Sequence, residues 1–180
     1  MSLWELLLIG AALSMDAVAV SAVSGMALPR LRWSDVWLLA GSFGAFQGLM
    51  PLLGYFAGSA AAAYVQTLAE PLAALLLALV GGKMLRDSLR GEAEALAAVS
   101  LPLVLLQALA TSVDALAVGV GFAALGSVNI WQASALIAGC TGLLCTLALR
   151  LGRRCGAWLA DKAGVAGGLV LLTIALRLLL

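Results

Sequence analysis

Two aspartates stand in the same short phrase, ninety-eight residues apart. The stretches Ser14-Met-Asp16-Ala-Val-Ala-Val20 and Ser112-Val-Asp114-Ala-Leu-Ala-Val118 share the pattern Ser-x-Asp-Ala-x-Ala-Val. Each lies inside an apolar run long enough to cross a bilayer, which takes roughly 20 residues. An Asp at the centre of a membrane helix costs about 2.5–3.5 kcal/mol on insertion scales, and a chain that bears this twice at equivalent places puts the charge to use. A pair of intramembrane carboxylates can bind a cation or carry protons.

Other oxygen-bearing side chains accompany them. Gln107, Thr111, Asp114 and Gly121 follow helical spacing and predict one polar or small stripe facing the bundle interior. Gln47 and Met50 stand beside Pro51, a residue that frees a backbone carbonyl within a helix. Carboxylate, amide, hydroxyl and carbonyl oxygens suit Mg, Ca or Mn, and a thioether from Met15 or Met50 would shift the preference toward a softer metal. The candidate metal ligands are therefore Asp16, Asp114, Gln47, Thr111, Met50 and Gln107. For the neutral members the competing role is hydrogen bonding between helices, typically for about 1 kcal/mol. Ser14 and Ser112, nearly opposite their aspartates on a helix, are expected to be packing residues.

The elements that position these residues are read from hydropathy. The chain is 64% hydrophobic and 11% charged over 180 residues, with a mean hydropathy of +1.12, which marks an integral membrane protein. Six apolar segments are expected: Leu3–Leu28, Val36–Ala57, Gln66–Leu85, Leu101–Leu125, Ile130–Leu151 and Val165–Leu180. Leu and Ala dominate them and the alternation of a membrane barrel is missing, so they predict helices.

Basic residues set the orientation, since Lys and Arg are retained on the cytoplasmic side. Arg30 and Arg32 follow the first segment, Lys83, Arg86 and Arg90 surround the end of the third, and Arg150, Arg153, Arg154 and Lys162 follow the fifth. The links near Gly58 to Tyr64 and Gly126 to Asn129 carry none. Both termini are thus expected outside the cytoplasm.

The repeat extends beyond the aspartates. Gly41, Gly44, Gly54 and Gly58 match Gly139, Gly142, Gly152 and Gly156 at the same offset, and Lys83 matches Arg177 at a slightly shorter one. A three-helix unit is written twice. Because three is odd, the second copy enters from the opposite side, which predicts two inverted three-helix repeats, residues 1–90 and 100–180, joined by a cytoplasmic connector at 91–99. Transporters built this way hold their substrate near the midplane at the repeat interface. The glycine pairs Gly54 with Gly58 and Gly152 with Gly156 are expected to let helices approach closely. Glu92 and Glu94 read as part of a solvated connector.

Several functions are excluded. Without histidine there is no His-ligated zinc site or His-based triad. A net charge of +1 offers no basic patch for nucleic acid. No GxxxxGK[ST] loop is present, so direct use of ATP is not expected. The first apolar run has no basic leader and holds half of the repeat, so it is not read as a signal peptide. Cys140, Cys145 and Cys155 form no CxxC pair and read as small buried residues. No enzymatic activity and no resident cofactor are expected; the lipid bilayer is the one certain partner, and oligomeric state is left open.

Together, Ser14-Met-Asp-Ala17, Ala110 to Gly121 with its Thr-Ser-Val-Asp-Ala core, Gly44 to Gly54 with Gln47 and Pro51, and Gly81-Gly82-Lys83-Met84 resemble the signature motifs of the MntP family of bacterial manganese efflux pumps, related to the lysine-exporter superfamily. The resemblance covers nearly the whole chain. It departs at Gln47, where some relatives carry glutamate, near Gly164, where an acidic residue is missing, and in a short connector. It implies a multi-pass protein of the bacterial inner membrane that exports manganese(II), with Asp16 and Asp114 as the transport aspartates. Moving a divalent cation out against an inside-negative potential costs about 4.6 kcal/mol per 100 mV. Proton antiport is the simplest source, because a metal entering between two carboxylates would expel the proton they share. Export of another divalent cation, or of a small organic cation or amino acid, is the alternative; a non-transporting membrane subunit is a further one.

Overall fold

The computed structural model describes residues 2–28, 30–89, 100–125 and 128–158, with Val165, Leu169, Leu172, Thr173 and Leu176 beyond them; between 59 and 89 only some side chains are described. The connector at 91–99 and most of the sixth apolar segment lie outside these residues.

Six helices make up the described chain: α1 Leu3–Leu13, α2 Met15–Ala27, α3 Trp33–Leu89, α4 Leu101–Ala110, α5 Val113–Leu125 and α6 Ile130–Trp158. No strand occurs among the described residues. Local chemistry sets the starts. Ser2 and Glu5 form a reciprocal capping box ahead of α1. The Asp35 carboxylate accepts from the Arg32 amide before α3, at 2.9 Å. Ser100 precedes α4, with Pro102 in its first turn, where a missing N–H costs nothing.

These six are not the six expected segments. Leu3–Leu28 and Leu101–Leu125 are each broken into two helices, bent by 47° and 43°. Conversely, the expected link at Gly58 to Tyr64 is helical: α3 runs through it, with Gly58 alone in a non-helical conformation at φ 67° and ψ −172°. That conformation is essentially restricted to glycine, so the sequence turns a corner there without a loop. Trp33–Gly58 and Ile130–Cys155 are each long and apolar enough to cross a membrane, as is each bent pair taken as one span.

Two apolar clusters divide the bundle. One gathers Ala17, Val20, Val23 and Leu28 of α2 and the following turn with Val36, Leu39 and Phe43 of α3, Val104 and Ala108 of α4, and Leu149 of α6. The other gathers Leu6 and Leu13 of α1 with Met50 of α3, Ala115 and Phe122 of α5, and Ile130 and Ile137 of α6. Phe46 borders both. The α1–α2 pair therefore passes from the second cluster to the first, and α4–α5 passes from the first to the second. Around this core, Leu8, Phe56, Leu143 and Leu151 are exposed, as suits a surface facing lipid. Trp33 and Trp37 are exposed at one end and Trp4 and Trp131 at the other, the arrangement of interfacial aromatic belts.

Candidate cation site

Both Ser-x-Asp phrases fall at helix breaks, on the boundary between the two clusters. At the first, Ser14 keeps φ −74° but opens to ψ −13°, and at the second Thr111 sits at φ −84° and ψ −2°. Helical ψ lies near −42°, so each break departs from α geometry toward the tighter turn of a helix end. The cause is hydroxyl chemistry. Ser14 Oγ donates to the Gly10 carbonyl at 2.5 Å, Thr111 Oγ1 to Gln107 at 3.0 Å, and Ser112 Oγ to Ala108 at 2.7 Å. Such back-bonding competes with the backbone ladder and bends helices.

Each aspartate then occupies the first turn of the new helix, Asp16 on α2 and Asp114 on α5. The positive end of the helix dipole favours a carboxylate there. Asp114 Oδ1 also accepts from the Ala115 amide at 2.8 Å. Asp16 is half-buried and Asp114 exposed, and the two are near enough to interact electrostatically. The ends of α1 and α4 that meet them bring the negative end of their own dipoles. Two carboxylates and two carbonyl-bearing helix ends thus surround one level of the bundle, an arrangement that attracts cations.

The other candidate ligands divide. Gln47 is fully buried on α3; its Nε2 donates to the Leu13 carbonyl at 2.7 Å, at the first break, while its Oε1 has no hydrogen-bond partner. Pro51, one turn on, offers no N–H to the Gln47 carbonyl. Two oxygens of one residue are therefore available beside the break. Thr111 and Gln107 are buried at the second break, with the Thr111 hydroxyl committed to carbonyls of its own helix. Met50 packs in the second apolar cluster. The single polar stripe expected on the fourth segment does not form: the bend leaves Gln107 and Thr111 buried while Asp114 and Gly121 are exposed. Among the described residues no three of His, Cys, Asp and Glu come together, so a cation here would need amide or carbonyl oxygens besides the two carboxylates.

Sequence reasoning missed Thr141. It is fully buried on α6, with Oγ1 2.8 Å from Ser14 Oγ. Its counterpart in the first repeat, position 43, holds phenylalanine.

Close crossings bring the helices that follow each break against a neighbour. A side chain at Gly54 would strike the Leu116 carbonyl and one at Gly119 the backbone of Pro51, so α3 and α5 cross with their backbones in close approach. Gly25 meets Leu149 and Gly152 meets Ala22 in the same way, where α2 crosses α6.

The family model Mntp, described as "Putative manganese efflux pump", matches residues 30–179. The chain belongs to this family. Gln47, Thr111 and Asp114 fall inside the matched range, and full-length relatives extend the similarity over Asp16. The chain is 38% identical over 181 residues to a "Putative manganese efflux pump MntP" of Ruminiclostridium cellulolyticum, covering 99% of this chain and 95% of the relative. It is 40% identical over 182 residues to a protein of the same name from Bifidobacterium adolescentis, covering 97% and 94%. A third, from Clostridium perfringens, is 36% identical over 203 residues, covering 100% and 95%. No solved structure matches the chain. Membership in this family and the apolar spans make the chain a multi-pass membrane protein.

Proposed function

We propose that this protein exports manganese(II) from the cytoplasm across the inner membrane as a secondary transporter, exchanging the metal for protons. The observation that carries the reading is the pair of helix breaks, each opening on an aspartate, at one level between two apolar clusters. Asp16 and Asp114 are the principal ligands, with Gln47 contributing its unpartnered Oε1. Gln107, Thr111 and Met50 are weaker candidates, and Met50 serves first as packing.

The opposite course of α1–α2 and α4–α5 between the clusters supports two inverted repeats, residues 1–90 and 100–180. Arg150 stacked on Trp33, 4.6 Å from its ring centroid, supports a common cytoplasmic face for the basic links after the first and fifth segments. On that reading the connector is cytoplasmic and both termini lie outside. Manganese enters between the aspartates from the cytoplasm and displaces protons. The halves rock about the site, metal leaves outside, and protons return on the carboxylates. Two protons per metal make the exchange electroneutral.

The test is transport in proteoliposomes. Manganese flux should respond to an imposed pH gradient and fall to background in Asp16→Asn and Asp114→Asn. Flux indifferent to pH would remove the proton coupling, and parental flux in both variants would remove the site.

A further inference from the structure

The two breaks share a sequence but not a setting. Ser14 has one hydroxyl hydrogen, and the 2.5 Å contact to the Gly10 carbonyl takes it, because a carbonyl can only accept. In the 2.8 Å pair with Thr141, Ser14 must then be the acceptor and Thr141 the donor. This bond crosses from α1–α2 to α6. A second bond, Gln47 Nε2 to the Leu13 carbonyl, ties the same break to α3. Ser14, Thr141 and Gln47 are all fully buried, where hydrogen bonds are little weakened by water.

At the other break the hydroxyls of Thr111 and Ser112 turn back on carbonyls of α4. The position corresponding to Thr141 is Phe43, and the one corresponding to Gln47 is Cys145. Phenylalanine donates nothing and a thiol donates weakly. Both are buried and fill space.

From this contrast we infer that Thr141 is a positioning residue: through Ser14 it fixes the first break, and so the direction of Asp16, leaving the α4–α5 break as the one that moves. Asp16 becomes the fixed half of the site and Asp114 the half that approaches and withdraws. The consequence for transport rests on the manganese-export reading; the difference between the breaks does not.

Backbone hydrogen exchange on the purified full-length protein in nanodiscs, without metal, tests the difference directly. Amides of Met15 to Val18 should exchange at least about tenfold more slowly than those of Val113 to Leu116, the worth of roughly one buried hydrogen bond. Thr141→Val, which keeps the shape and removes the donor, should raise exchange at the first break about tenfold, while Thr141→Ser stays within about twofold of the parent. Ser14→Ala removes the acceptor instead. It should act like Thr141→Val, with the double variant no worse than either single, and it decides the matter should Thr141→Val not fold. In proteoliposomes Thr141→Val should raise the KM for manganese with little change in kcat, and Thr141→Ser should restore it. Equal exchange at the two breaks, or serine and valine acting alike at position 141, would overturn the inference. Absent manganese flux in the parent overturns the export reading instead, and the exchange contrast still decides the role of Thr141.

Discussion

Replacing Gly119 by alanine should separate two helices that the bundle needs in contact. A Cβ there would stand 2.6 Å from Pro51 Cα and 2.7 Å from its carbonyl carbon, with the carbonyl oxygen nearer still. Carbon atoms prefer about 3.5–4.0 Å, so α3 and α5 must part by roughly 1 Å at their crossing. The obstacle is backbone and cannot rotate away. Overpacking of this kind costs about 1–3 kcal/mol. At roughly 2–4 °C per kcal/mol for a chain of this size, the melting temperature should fall by about 2–12 °C. Gly54→Ala wedges the same crossing against Leu116, and the pair together should cost less than the sum, because the gap is opened once. The controls are Gly41→Ala and Gly139→Ala, where nothing lies within 4 Å. There alanine only improves helix propensity, by up to about 1 kcal/mol, and melting should hold or rise. Thermal unfolding in one detergent compares all six proteins, the parent, the four single variants and the double. The reasoning fails if Gly119→Ala melts with the parent, or if the two control variants lose as much.

Three further outcomes follow from single residues. Gly58→Ala should cost about 1–3 kcal/mol with no steric clash, since its positive φ is the whole of the obstacle; the loss would show in the same melting assay. A membrane-impermeant maleimide should label the exposed Cys155 in inside-out vesicles but not in intact cells, while Cys145 stays unlabelled until the protein is denatured. Labelling from outside intact cells would reverse the proposed topology. A double-mutant cycle on Trp33→Leu and Arg150→Gln should return a coupling of about 0.5–1 kcal/mol, as for a cation over an exposed ring.

The aspartates of the candidate site stood out in the sequence because they are written twice. The duplicated aspartates, the glycines matched across the halves and Gln47 beside Pro51 were all visible as residues of the wrong polarity or size for a lipid-facing helix. The breaks were not. Ser14 and Ser112 looked like packing residues because helical spacing sets them nearly opposite their aspartates and shows no carbonyl, whereas the bend comes from one hydroxyl bonding back four residues. The same blindness produced the false polar stripe on the fourth segment, since helical spacing does not hold across Thr111. Gly58 failed in the other direction: a cluster of small residues read as a loop, yet alanines continue a helix and one glycine suffices to turn it. Thr141 was invisible alone because its meaning lies in a partner 127 positions away.

The close crossings carry a consequence for how the protein is made. Among the described helices, the substantial contacts join the first ninety residues to the remainder: α2 and α1 lie on α6, and α3 lies on α4, α5 and α6, whereas α1, α2 and α3 barely touch one another. The described helices of the half synthesised first therefore bury most of their packing faces only when the second half arrives. Gly25 and Gly54 face lipid where a backbone should be, and the Ser14 hydroxyl waits for a threonine not yet translated. Assembly is a docking of two unfinished pieces. Produced alone, the first half should be prey for membrane proteases; produced beside the second as separate chains, it should find its partner and be spared.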